Sequence, residues 1–152
     1  MLAKEFDWIQ AQLYKNSLAI LPRNTRVLFY DCTNFFFEIE QEEGLKQYGL
    51  SKEHRPNPIV QMGLFMDGNG MPLAFSIQKG NTNEQTTLKP LEKKILSDFE
   101  LSQFIVCTDA GLASTANRKY NNLGNRGFIT VQSVKKLKAH LKDWALDPKG
   151  WR

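Results

Sequence analysis

The sequence predicts an α/β domain built on a mixed β-sheet with helices on its faces. Three observations carry this. Residues 59–78 read as a hairpin, two apolar runs joined by "DGNG". After the hairpin, helix-like and strand-like patterns alternate, which calls for crossovers and parallel strands. The chain has 152 residues, enough for one domain that buries about two-thirds of its unfolded surface.

Each element has its own signal. Leu2, Phe6, Ile9, Leu13 and Leu18 recur at helical spacing, and Pro22 in "LPRN" ends that helix. Val27 to Phe37 is aromatic and β-branched, a strand. Its start is apolar on both sides, which predicts a central position in a covered sheet. Alternation puts Phe29, Asp31 and Thr33 on one face and Tyr30, Cys32 and Asn34 on the other. Residues 38–58 are polar and punctuated by Gly44, Gly49, Pro56 and Pro58, a loop long enough to suggest a function. The hairpin strands follow as Ile59–Met66 and Met71–Gln78. Thr86 to Ser97 reads as a helix with Leu88, Leu91 and Ile95 inward and Pro90 in its first turn. Phe104 to Thr108 is a short apolar strand ending at Asp109. Ser114 or Thr115 caps a helix to Leu123, Gly127–Val131 is a strand, and Ser133 caps a last basic helix through Leu141.

Composition narrows the function classes. The formal charge is +4, mild support for an anionic partner. "FEIEQEE" is acidic, while "VQSVKKLKAHLKD" and "KGWR" are basic. No signal peptide and no apolar run of membrane-spanning length is visible, so no membrane partner and a cytoplasmic location are expected. Cys32 and Cys107 lie inside apolar segments and read as reduced, buried thiols. His54 and His140 are the only histidines, and no cysteine–histidine spacing suits zinc. Trp144 and Trp151 are unusual in a free tail. They suggest either packing onto the domain or a boundary with further structure.

The candidate chemistry lies in two aspartates. Asp31 sits inside an aromatic strand, and Asp109 follows "FIVCT" at the carboxyl end of another, where open α/β sheets collect ligands. An acid in such a setting must be solvated, paired or bound to metal. On adjacent strands the two would present oxygen ligands to Mg2+ or Mn2+, with phosphate oxygens completing the shell. The bland alternative for Asp109 is a turn acid. Lys52, His54 and Arg55 in "SKEHRPNP" read either as phosphate contacts or as solvated loop. Arg118 lies with Asn117 and Lys119 on the helix after Asp109; it is a candidate DNA contact, and the bland alternative for all three is a solvated helix face. Lys135, Lys136 and Lys138 make a basic surface that suits DNA or plain solubility. Glu84 starts or caps the following helix, or orients a group near the crevice.

Taken together, "FYDCTNFFFE", "YGLSKEHRPNPIVQMGLFMDGNGMPLAFSIQKGNTNE" and "VCTDAGLAS" resemble the Asp-Asp-Glu transposases of bacterial insertion sequences, in the insertion-sequence-four family. The resemblance spans about Arg26 to Lys138. It implies a ribonuclease-H-like core, a five-stranded sheet with three antiparallel strands then two parallel ones, flanked by helices. It also implies that Asp31 and Asp109 are the first two catalytic carboxylates and hold Mg2+ or Mn2+. Such enzymes hydrolyse phosphodiesters at transposon ends and direct the freed 3′-hydroxyl at target DNA, so double-stranded DNA is the expected partner. Thr33, Asn81 and Glu84 are expected to stand behind the acid pair, and Glu84 is not the third catalytic acid.

The family's catalytic Glu lies far downstream, after an inserted β-rich region, and no residue here matches it. The expectation is a partial catalytic domain over residues 23–142, incomplete at its C-terminus. A helix and linker would precede it at 1–22, and a tail or truncated boundary would follow at 143–152. A companion transposase polypeptide or oligomer would supply the missing acid. The residues alone leave two other readings, a non-catalytic DNA-binding or transposase-interacting module, and a different metal-dependent nuclease.

Overall fold

The computed structural model describes residues 5–150. Leu2 and Trp151, which entered the expectations above, lie outside the described residues. The elements are α1 (Phe6–Ser17), β1 (Val27–Phe36), β2 (Ile59–Asp67), β3 (Pro72–Lys79), α2 (Leu88–Asp98), β4 (Ile105–Thr108), α3 (Thr115–Asn121), β5 (Gly127–Thr130) and α4 (Ala139–Leu146). The sheet order is β3-β2-β1-β4-β5. β1, β2 and β3 pair antiparallel, whereas β1–β4 and β4–β5 are parallel. This is the ribonuclease-H-like arrangement, with β1 at its centre.

One face of the sheet makes the core. Leu28, Tyr30 and Cys32 of β1, Phe65 of β2 and Val106 of β4 are buried there against Leu88, Leu91 and Ile95 of α2 and Ala11 and Tyr14 of α1. The three α2 residues recur at helical spacing, which is why α2 forms one wall of that layer. Glu92 falls on the same inward stripe and is fully buried. It accepts a hydrogen bond from Arg126, whose guanidinium also donates to Tyr120 O and Leu123 O. The pair ties α2 to the connection between α3 and β5.

The expectation of a sheet covered on both faces is corrected. Phe29 is 43% exposed, and Phe35, Ile77 and Ile105 on the same face are also exposed. Apolar residues on both sides of a strand predict two covered faces only if a second layer packs there. The core layer described above accounts for one face only.

Other elements match the sequence within a few residues. The Gln10 amide of α1 donates to Phe75 O at 3.1 Å and accepts from Phe75 N, covering the β3 edge. At the hairpin, buried Asp67 accepts from Asn69 N and Met71 N at 2.9 and 3.0 Å and pairs with Arg23. Gly70 adopts φ 78° there, which a side chain would resist. Pro90 is the third residue of α2, where no intrahelical donor is lost.

The last helix differs from expectation. Ser133 makes no capping hydrogen bond, residues 134–136 form a single 3-10 turn, and Leu137 and Lys138 are extended before α4 begins. A helix from Ser133 would stack Lys135, Lys138 and Lys142 at three- and four-residue spacing, an unfavourable like-charge row. Trp144 is 75% exposed, so of its two expected readings, packing onto the domain does not hold.

Candidate active site at the ends of two parallel strands

β1 and β4 run side by side in the register Val27↔Ile105, Leu28↔Val106, Phe29↔Cys107. Two residues further along each chain stand Asp31 and Asp109. They are equivalent positions in that register, Asp31 within β1 and Asp109 just past the end of β4, and adjacent strands lie about 4.8 Å apart while paired. Pairing stops after Phe29, because β4 ends at Thr108. Both acids lie just beyond the last paired residues of the two strands. Asp31 lies on the exposed sheet face, and its side chain is 70% exposed. Solvation therefore resolves the cost of an acid within an apolar strand.

Where the pairing with β4 has ended, Cys32 keeps β2 as a neighbour but has no strand partner on the β4 side. Its N–H donates to Asp31 Oδ1 at 2.8 Å, and its carbonyl accepts from the Lys52 ammonium. Lys52 Nζ also stands 3.9 Å from Asp31 Oδ1. The long loop delivers Lys52 through a built turn. Asn34 Oδ1 accepts from Lys52 N at 3.3 Å, while Asn34 Nδ2 donates to Leu50 O at 3.5 Å. Buried Ser51 accepts from Glu53 N and His54 N. His54 itself is exposed at φ 56°. Arg55 is held by Glu53 and stacks 4.1 Å from the Phe36 ring centroid.

Asp109 is held from three sides. Its Oδ1 accepts from Leu112 N at 3.1 Å, so the turn role is realised, and the second oxygen has no hydrogen-bond partner among the described residues. Thr130 of β5 donates to Asp109 O at 3.0 Å. Gln85 donates to Gly111 O at 3.0 Å, and Asn117 donates to Gln85 O and Leu112 O. The solvated-face reading fails for Asn117, which is 3% exposed. α3 turns it inward because its amide closes the loop that carries Asp109. Lys119 is exposed and Arg118 half-buried.

The remaining expected residues scatter. Thr33 is half-buried on the Asp31 face. Asn81 and Glu84 do not touch either aspartate; they line a cavity of about 390 Å³ with Gln61, Gln85 and Gly111, reaching the loop after Asp109. Asn83, not Glu84, caps the turn that leads into α2. Lys135, Lys136 and Lys138 are exposed. Cys32 is buried on the core face, and burial raises both thiol pKa values, so neither is a ready nucleophile. The sequence reading missed Asn34, Gln85, Asn117 and Thr130. The signal for them was weak: Asn34 is one polar residue inside the Asp31 motif, and the other three lie outside the acidic motifs.

The donor set is two carboxylates, one on β1 and one just past the end of β4, all oxygen. That fits a hard divalent cation. Among the described residues, no group of three or more His, Cys, Asp or Glu is placed to hold a metal ion.

No family model matches the sequence. No curated protein matches it either. Solved structures do show likeness. A Mos1 transposase paired-end complex with the left transposon end aligns at TM-score 0.47 and 14% identity, covering 82% of this chain and 40% of that one. A piggyBac transposase synaptic complex with hairpin DNA aligns at TM-score 0.49 and 16% identity, covering 82% and 27%. A Mos1 mariner paired-end complex with Mn aligns at TM-score 0.46 and 15% identity, covering 82% and 41%. The chain thus spans less than half the length of each of these proteins.

Proposed function

We propose that this chain is part of a DNA transposase catalytic domain of the insertion-sequence-four type. Its Asp31 and Asp109 supply two of three metal-binding carboxylates. One observation carries the reading: the two acids occupy equivalent positions at the point where neighbouring parallel strands part. The bound Mg2+ or Mn2+ would polarise a phosphodiester and activate the attacking oxygen. The chain's own residues supply position and charge. Cys32 N–H and Leu112 N–H orient one oxygen of each carboxylate, and Thr130, Gln85 and Asn117 fix the loop behind Asp109.

Lys52, His54, Arg55, Arg118, Lys135, Lys136 and Lys138 are the proposed contacts to double-stranded DNA. Thr33, Asn81 and Glu84 stand further back, with Asn81 and Glu84 placed to shape the approach through their shared cavity. A companion transposase polypeptide or second subunit would bring the third acid, and the cytoplasm is the proposed location. In intact form such an enzyme would cut at transposon ends and join the 3′-hydroxyl to target DNA.

The test is Mn2+ titration followed by electron paramagnetic resonance on the full chain, with and without a phosphodiester-containing duplex. Wild type binds Mn2+, and Asp31→Asn and Asp109→Asn each lose that binding. Equal binding by all three proteins sinks the reading. The lack of a third described ligand favours a second reading, a DNA-binding module without its own catalysis. Under that reading duplex binding persists unchanged in Asp31→Asn and needs no metal.

A further inference from the structure

The Lys52 ammonium has a place that neither solubility nor a phosphate contact requires. It reaches back from the long loop to the stretch of β1 beyond its pairing with β4. There it meets the Cys32 carbonyl and stands 3.9 Å from Asp31 Oδ1. Its backbone is fixed by Asn34, two residues beyond Cys32 on the same strand, so its reach is built in. Asp31 has Lys52 as its ion-pair partner, and Asp109 has none among the described residues. The site is therefore partly neutralised by a cation that belongs to the chain.

We propose that Lys52 is the resident counter-charge of the acid pair, holding Asp31 until a divalent cation displaces it. This deepens the metal-site reading above and rests on it. Two positive groups cannot share one exposed carboxylate without repulsion. Unit charges about 4 Å apart interact measurably even in water, and the effect doubles for a dication. Lys52 thus weakens the first metal-binding step and keeps the strand end satisfied while no metal is present. Released, its ammonium is free to face a phosphate entering with the DNA. The metal and the nucleic acid are then linked through one side chain.

Two measurements on the full chain test this. The first is Mn2+ affinity by electron paramagnetic resonance at low salt. Lys52→Met binds about tenfold tighter than wild type, Lys52→Arg binds like wild type, and the gain shrinks as salt screens the repulsion. The second is acylation of lysine amines read by mass spectrometry. Lys52 reacts slowly in wild type, and faster in Asp31→Asn or when Mn2+ is added, while Lys119 is unaffected. Equal or weaker Mn2+ binding by Lys52→Met overturns the proposal, as does a Lys52 reactivity that neither Asp31→Asn nor Mn2+ changes. If no variant binds Mn2+, the metal reading falls with it. A reactivity change in Asp31→Asn would then still show the ion pair, separating the two failures.

Discussion

Gly63→Ala probes how tightly β1 is seated, and so how firmly Asp31 is aimed. Gly63 of β2 lies opposite Cys32 of β1. A methyl group on Gly63 would land on Tyr30 Oη, well inside contact distance, with Tyr30 Cζ 3.0 Å away. Tyr30 cannot swing clear. It is buried, its ring packs 4.6 Å from that of Phe65, and its hydroxyl shares a 2.6 Å hydrogen bond with Thr87. Overpacking of this kind costs about 1–3 kcal/mol. Breaking the Tyr30–Thr87 bond adds about 1 kcal/mol. The expected loss is about 2–4 kcal/mol, a fall in Tm of roughly 5–15 °C for a chain this long. Thermal and urea unfolding followed by circular dichroism measure it. Tyr30→Phe alone costs about 1 kcal/mol, because Thr87 still donates to Glu84 O. Adding Tyr30→Phe to Gly63→Ala removes the clashing oxygen, so the double variant is more stable than Gly63→Ala alone. Strictly additive losses would refute the argument, as would a Gly63→Ala protein with unchanged Tm.

Three further outcomes follow from the charges. Burial outweighs the attraction of Arg126 and raises the Glu92 pKa from 4.5 to about 7. The folded chain then holds a proton that the unfolded chain has released between those values, so this contribution to stability is full below pH 4.5 and fades as pH rises through 7. Urea midpoints across that range in wild type and Glu92→Gln test it, the variant lacking this slope. Asp67 behaves in the opposite sense: burial pushes its pKa up, but Arg23 and the Asn69 and Met71 amides prevail and hold it below 3.8. Its contribution is present above that value and is lost on acidification, and Asp67→Asn removes that acid-side loss in the same melts. Finally, replacing Lys135, Lys136 and Lys138 with Gln should weaken duplex binding across sequences and lower the salt slope by up to about three. Fluorescence anisotropy at several salt concentrations reads this, and an unchanged slope removes those lysines from the interface.

Much of the fold was legible because its signals are local. "DGNG" between two apolar runs specifies a hairpin, and the pattern around Asp31 fixes which side chains share its face. The strand before Asp109 was visible as an uninterrupted apolar run. Less legible were features set by partners distant in sequence. Phe29 and Phe35 look like core residues, and only the placement of α1 and α2 decides which sheet face is covered. Asn117 looks like a solvated helix residue until the Asp109 loop folds against it. Lys52 reaches Asp31 through a turn held by Asn34, a contact no spacing rule predicts. The late start of α4, after extended Leu137 and Lys138, is not what the capping potential of Ser133 foretells.

The central claim is that Asp31 and Asp109 share one cation. A crystal of this chain grown with Mn2+ and measured at the manganese absorption edge tests it most directly. The account predicts one anomalous peak bridging the two carboxylates at inner-sphere distance, about 2.0–2.3 Å, with the Lys52 ammonium moved off Asp31. A peak bound by one acid alone, or carboxylates that stay apart with manganese at neither, would contradict it.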